Sequence, residues 1–325
     1  MKIVSSFNHK GGVGKTTIVF NVALALGEMG TRVLLVDGDA QSNLTAIALD
    51  PDVTEQVLDE EKTIWSSLAP LVSGAGDLRP IEPIQIRDMV HLVPGDIRLS
   101  NFEAICPQGW VESLAGQERG FRVTSAIYRL VREAAAKTEA MIVFLDLGPN
   151  VNALNRTNLL GSDGFVVPMA PDLFSIRALP SVGMSAARWI AEWRTALKTR
   201  DQKTTDFDLP QGEPRPLGYV SQQFTVYSKQ PSEAYQTWMD RIPDAYQKGV
   251  VEPLVAVGMH PPAGRDPSMG TLPNFFSLTP IAQEANKAVF ELTGSEARGA
   301  QYTRAQETRD RFIDLANEVV ARLED

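Results

Sequence analysis

His9-Lys10-Gly11-Gly12-Val13-Gly14-Lys15-Thr16-Thr17, residues 9–17, decides the fold. It follows a short β-prone stretch, KIVSSF at residues 2–7, and opens a run rich in alanine, leucine and valine that breaks near Gly30. Strand, glycine-rich loop and helix in that order are the context a phosphate-binding loop requires. The glycines let backbone N–H groups approach phosphate closely, and the helix amino terminus adds a dipole that favours the anion. Lys15 is then expected to reach the β- and γ-phosphates of ATP, and the Thr16 hydroxyl to ligate Mg²⁺. The standard loop has glycine where this chain has His9.

Outward from the loop, apolar runs alternate with helical stretches. Arg32 to Val36 (RVLLV) ends in Asp37, and Ala140 to Leu145 (AMIVFL) ends in Asp146. Continuous apolar runs of this length are strands buried on both faces of a parallel sheet. Gly164 to Val167 and Leu217 to Val220 read as further strands, and Val123 to Ala136, residues 176–200 and Thr303 to Leu323 as helices. The alternation predicts an α/β fold with a doubly wound, mostly parallel sheet. One domain over residues 1–325 is expected, with an irregular acidic insertion at about 50–120 and a peripheral aromatic, proline-rich one at about 221–270. In the first insertion the one expected strand is Met89 to Val93.

The intact KGGVGKTT from Lys10 to Thr17 resembles the ParA/MinD family of deviant Walker-A P-loop ATPases. The resemblance implies a homodimer closing around two MgATP, with the backbone from Lys10 through Gly11, Gly12, Val13 and Gly14 to Thr17 cradling phosphate. It also implies that Lys10 reaches the nucleotide of the facing subunit, as an arginine finger acts in trans. Asp37-Gly38-Asp39-Ala40-Gln41-Ser42-Asn43 resembles the first switch of the family, with Ala40 where proline is common. It implies Asp37 at the Mg²⁺ shell and Asp39 positioning or deprotonating the attacking water. Carboxylates at a strand's carboxyl end, beside the phosphate loop, are where a phosphate-bound metal is completed. Asp146 matches the Walker-B aspartate, although Leu147-Gly148-Pro149 replaces the usual Thr-Pro-Pro that follows it. Gly148 offers an unobstructed N–H for sensing the γ-phosphate. Gln222, with Gln223, matches the purine-contacting loop. Softer matches at residues 163–177, 277–280 and 290–292 extend the resemblance toward the carboxyl end.

The chain has a net charge of -9, and residues 50–119 hold 13 acidic against 5 basic side chains, which is -8 of it. Residues 175–205 hold six basic residues (Arg177, Arg188, Arg194, Lys198, Arg200, Lys203) against Glu192 and Asp201. A local polyanion-binding face is therefore compatible with overall acidity. Arg188, Arg194 and Lys198, off the apolar side of their helix, offer a phosphate-gripping face for non-specific duplex DNA, with a solvated helix surface as the reading of equal or greater weight, since three basic side chains give few phosphate contacts. No helix-turn-helix precedes the loop, so sequence-specific reading of DNA is not expected. The last helix balances Arg304, Arg309, Arg311 and Arg322 with Glu307, Asp310, Asp314 and Glu318, which argues against a MinD-like membrane anchor. The single cysteine, Cys106, excludes an intrachain disulfide. A cytoplasmic protein is expected, because MKIVSSF leads straight into the loop without a signal-like segment. The insertions suit a protein partner that stimulates hydrolysis. An ATP-dependent ligase of the same superfamily, phosphorylating a carboxylate substrate, is the alternative from another class.

Overall fold

The computed structural model describes residues 1–201, 206–224, 226–227, 230–231 and 233–325. Among these the strands are β1 (Lys2–Ser6), β2 (Val33–Asp37), β3 (Ile84–Arg87), β4 (Val90–Val93), β5 (Ile142–Asp146), β6 (Gly164–Met169), β7 (Arg215–Phe224), β8 (Val226–Tyr227), β9 (Gln230–Pro231) and β10 (Ser268–Pro273). Eight form one sheet in the order β10-β7-β6-β1-β5-β2-β4-β3, and β8 pairs with β9 apart from it. Every pairing in the large sheet is parallel except that of β3 with β4 at the edge. The fold class read from the βα alternation is the one observed.

Side chains of the central strands alternate between two apolar layers, as the period of two requires. Ile3, Leu34, Val36, Val143 and Leu145 face a layer containing Trp189, Trp193 and Phe165. Val4, Val33, Leu35, Ile142 and Phe144 face the other, with the phosphate-loop helix Lys15–Glu28 and the last helix Ala300–Glu324. On the last helix the apolar face expected from helical spacing is Phe312, Ala316, Val319, Val320 and Leu323; all are buried except Val320, which is half-buried.

The acidic insertion departs from expectation. It is largely helical, with helices at Pro51–Asp59, Ile64–Ser73 and Leu99–Leu114. Pro70 and Pro107 lie inside two of them, a placement that local propensity disfavours. Tertiary burial overrides it, for Leu99, Phe102, Cys106 and Trp110 form an apolar stripe at helical spacing, sealed by stacking of Trp110 on Trp193. The second insertion is not peripheral either. Its Tyr246 is fully buried against Tyr219 of β7, with ring centroids 5.2 Å apart, and Val250 and Leu254 enter the first layer.

Candidate functional site

The register of the sheet assembles the site. Ser6 of β1, Asp146 of β5 and Asp37 of β2 are lateral neighbours at the carboxyl edge, where the chain leaves β1 into the phosphate loop. Gly14 caps the loop helix in the left-handed region (φ 68°), open to glycine without strain. Its missing side chain also matters, because a Cβ there would stand 2.2 Å from the Gln222 amide nitrogen. Gln222, the purine candidate, is thus buried against the back of the loop. The side chain of Gln223 and all of Lys203 lie outside the described residues.

Thr16 donates its hydroxyl to Asp146 Oδ2 at 2.7 Å. The other oxygen of Asp146, Oδ1, is buried with no hydrogen-bond partner. Asp37 is fully buried and accepts from the Thr45 amide at 2.8 Å and the Thr45 hydroxyl at 2.7 Å. Asp39 lies half-buried against the loop that follows β5, where a Cβ on Gly148 would stand 2.9 Å from its Oδ1. Lys15 is buried and turns back to the Lys10 carbonyl at 3.3 Å. Burial lowers its affinity for a proton, while Asp146 and Asp39 oppose that shift. Burial and the Lys15 charge likewise push His9 toward its neutral form.

This donor set fits a hard cation. Thr16, Asp37 and Asp146 offer only oxygen, Asp146 Oδ1 has unused capacity, and among the described residues no cluster of three or more His, Cys, Asp or Glu forms a dedicated cage. Mg²⁺ is commonly held in this way, through one or two carboxylates, waters and substrate phosphate.

An open groove of about 440 Å³ runs along Gly11, Gly12, Gly14, Lys15, Thr16 and Thr17 and is walled by Asp39, Leu147 and Pro149. Asn43, at the end of the first-switch stretch, completes it with Ala46, Ile47 and Gln283; sequence reading missed the last three, because only the folded sheet brings residue 283 beside residue 46. A polar cleft of about 500 Å³ opens at the opposite edge near Lys2, Asp163 and Arg215, away from the loop at residues 9–17.

Lys10 points within its own subunit, with Nζ 2.5 Å from Asp172 Oδ2 and 3.1 Å from Ser175 Oγ. Asp172 caps the long helix Leu173–Thr199. Burial would raise its carboxyl, but Lys10 and the Ser175 amide outweigh burial and hold it below its usual range. On that helix Arg177, Arg188 and Lys198 are exposed. Arg194 is not free to grip a polyanion, for it pairs with Glu213 at 2.8 Å and donates to the Val257 carbonyl. Among the described residues no helix is long and apolar enough to cross a membrane.

Residues 1–198 match the family described as an AAA domain. The Bacillus subtilis sporulation initiation inhibitor protein Soj is 28% identical over 178 residues, 55% of this chain and 62% of Soj. A Thermus thermophilus protein named "Probable plasmid-partitioning protein ParA" is 30% identical over 204 residues, 62% of this chain and 54% of that one. The crystal structure of a Corynebacterium diphtheriae protein superposes with a TM-score of 0.70 at 26% identity, covering 88% of this chain and 97% of that one. The match spans 49% of a Mycobacterium tuberculosis relative and 54% of the Thermus thermophilus one, about half the length of each.

Proposed function

The chain belongs to the AAA-domain family of ParA/MinD-type P-loop ATPases, and from that premise we propose a MgATP-dependent dimeric switch that grips duplex DNA in its ATP state. The observation that carries this reading is the placement of Thr16, Asp37 and Asp146 together beside the phosphate loop, with Asp39 across from Gly148.

The loop amides and Lys15 bind the β- and γ-phosphates and hold the γ-phosphorus for in-line attack. Thr16 would hold Mg²⁺, with Asp37 and Asp146 ordering its waters, and the ion would supply neutralising charge to the phosphate oxygens. Asp39 orients a water and takes its proton as the water oxygen bonds to the γ-phosphorus. The bond to the β–γ bridging oxygen breaks, leaving ADP and phosphate. Lys10 adds positive charge to the transferring group of the facing subunit only after exchanging Asp172 for that phosphate, so dimer closure and turnover are coupled.

Titration calorimetry with turnover assays tests the reading. Lys15→Ala is expected to abolish MgATP binding, and Lys10→Ala to keep binding by the monomer while losing dimerisation and hydrolysis. Undiminished affinity of the Lys15 variant would remove the phosphate-loop assignment, and wild-type turnover by the Lys10 variant would remove action in trans. Turnover that requires a small carboxylic acid, and responds to neither DNA nor a protein partner, would instead indicate a ligase.

A further inference from the structure

We propose that Thr45 is a positioning residue through which the turn at residues 94–98 of the acidic insertion holds the Asp37 carboxylate in working orientation. The proposal rests on the reading of Asp37 as a metal-side carboxylate.

The Thr45 hydroxyl has one hydrogen, and at 2.7 Å it goes to Asp37 Oδ2. A lone pair of the same oxygen accepts the Gly95 amide at 2.7 Å. The direction of both bonds is therefore fixed, and Gly95 reaches Asp37 through one side-chain atom. Oδ2 also accepts the Thr45 amide, at 2.8 Å, whereas Oδ1 receives only a long bond of 3.3 Å from the Asp39 amide. Thr45 thus occupies one carboxylate oxygen fully and leaves the other with capacity to spare.

Gly95 closes the same contact from the opposite side. Its φ is outside the positive region, so backbone conformation does not demand glycine there. Space does, because a Cβ would stand 2.7 Å from Asp37 Cγ and 2.8 Å from Ser42 Oγ.

The turn itself is firmly anchored. The Ile64 amide donates to the Pro94 carbonyl at 2.8 Å, and the buried Asp96 accepts from the Thr63 hydroxyl at 2.8 Å and from Arg98 Nη2 at 2.7 Å. The helix Leu99–Leu114 continues from it, and its Glu103 accepts from Asn152 Nδ2 at 2.7 Å, at the end of the loop after β5. One continuous piece of the insertion therefore braces the loops after both β2 and β5.

A fixed hydrogen bond from an anchored turn is how outer partners orient a metal-binding carboxylate, and losing one typically costs about 10- to 100-fold in metal affinity. The test compares Thr45→Val, which keeps shape and loses the hydroxyl, Thr45→Ser, which keeps it, and Gly95→Ala. ATP affinity is measured by calorimetry in Mg²⁺ and in EDTA. Thr45→Val and Gly95→Ala should retain affinity in EDTA and lose about 10- to 100-fold of the gain that Mg²⁺ confers. Thr45→Ser should keep the gain. In the nucleotide-free protein the Gly95 amide should exchange slowly in wild type and Thr45→Ser, and fast in Thr45→Val. A full Mg²⁺ gain in Thr45→Val, or equal losses in Mg²⁺ and EDTA, would overturn the positioning role. A wild-type protein that binds ATP equally well with and without Mg²⁺ would overturn the metal-side reading of Asp37 itself.

Discussion

Asp37 and Asp146 end neighbouring strands in register, and neither carboxylate reaches solvent. Burial, partly offset by the Thr45 and Asp39 hydrogen bonds, raises Asp37 from the ordinary 3.8 to about 6. Burial first, and then the Asp37 charge, raises Asp146 to about 7. Both shifts are upward, so without metal the folded state keeps protons that the unfolded chain has already released. Its stability therefore falls as pH rises from the ordinary carboxyl range through about 7, and levels off above. The depressed carboxyls of Asp77, Asp96 and Asp172 act at lower pH, where their contribution is lost as they protonate. In EDTA the melting temperature should be lower at about pH 8 than at about pH 5.5, and Asp37→Asn with Asp146→Asn should flatten that slope. A melting temperature that rises across this window would contradict the burial of two strained acids. Asp39 differs, being half-buried and beside Gly148. Asp39→Ala should retain ATP binding, with turnover lower on the order of a hundredfold, the usual scale for losing a water-activating group. Unchanged hydrolysis in a steady-state assay would show that another group takes the proton.

The last helix is tied to the sheet by a charge that its amphipathic pattern conceals. Arg322 is 3% exposed and donates to the carbonyls of Leu217 (2.7 Å), Asp266 (2.8 Å) and Ser268 (3.1 Å), and to Glu318 at 2.8 Å. It thereby joins β7 to the approach of β10. Arg322→Ala leaves three carbonyls short of a donor and should cost about 3 kcal/mol or more in urea unfolding, at about 1–3 kcal/mol for each buried group left unsatisfied. A loss within about 0.5 kcal/mol, the range of ordinary surface changes, would mean that water replaces the guanidinium freely. Arg322 reads in the sequence as one of four basic residues on a balanced helix, which shows where legibility stops. The buried strands announce themselves, because RVLLV and AMIVFL have no polar side to show, and the phosphate loop does so because its chemistry prescribes its residues. The helices of the acidic insertion were hidden by Pro70, Pro107 and a surplus of acids, whose local preference is overruled by Phe102, Cys106 and Trp110. Thr45 and Gly95 meet, and Asp172 meets Lys10, only when the sheet aligns distant loops, so nothing local announces those contacts.

At the scale of the whole molecule, the charge distribution separates an acidic insertion from one long helix with a basic outer stripe. Arg177, Arg188 and Lys198 are exposed on it, and successive members stand about 16 Å apart at 1.5 Å per residue. Arg188 has Glu192 at 3.9 Å, too distant and too exposed a pair to withhold it from a phosphate. A lone subunit presents few cations, but the proposed closed dimer would double them and make the second set of contacts intramolecular. Binding of duplex DNA should therefore require ATP, be lost with ADP, and weaken steeply with salt, by a slope of about 0.9 per phosphate neutralised. Replacing Arg177, Arg188 and Lys198 together by Ala should weaken all sequences alike and flatten that slope, since phosphate contacts carry no base information. Arg194→Ala serves as the contrast. With its guanidinium already engaged by Glu213 and the Val257 carbonyl, it should leave the salt slope unchanged. Fluorescence anisotropy with two unrelated duplexes reads all of these. Should the ATP-trapped dimer ignore both duplexes at low ionic strength, the stripe is a solvated surface and the switch acts on a protein or another surface.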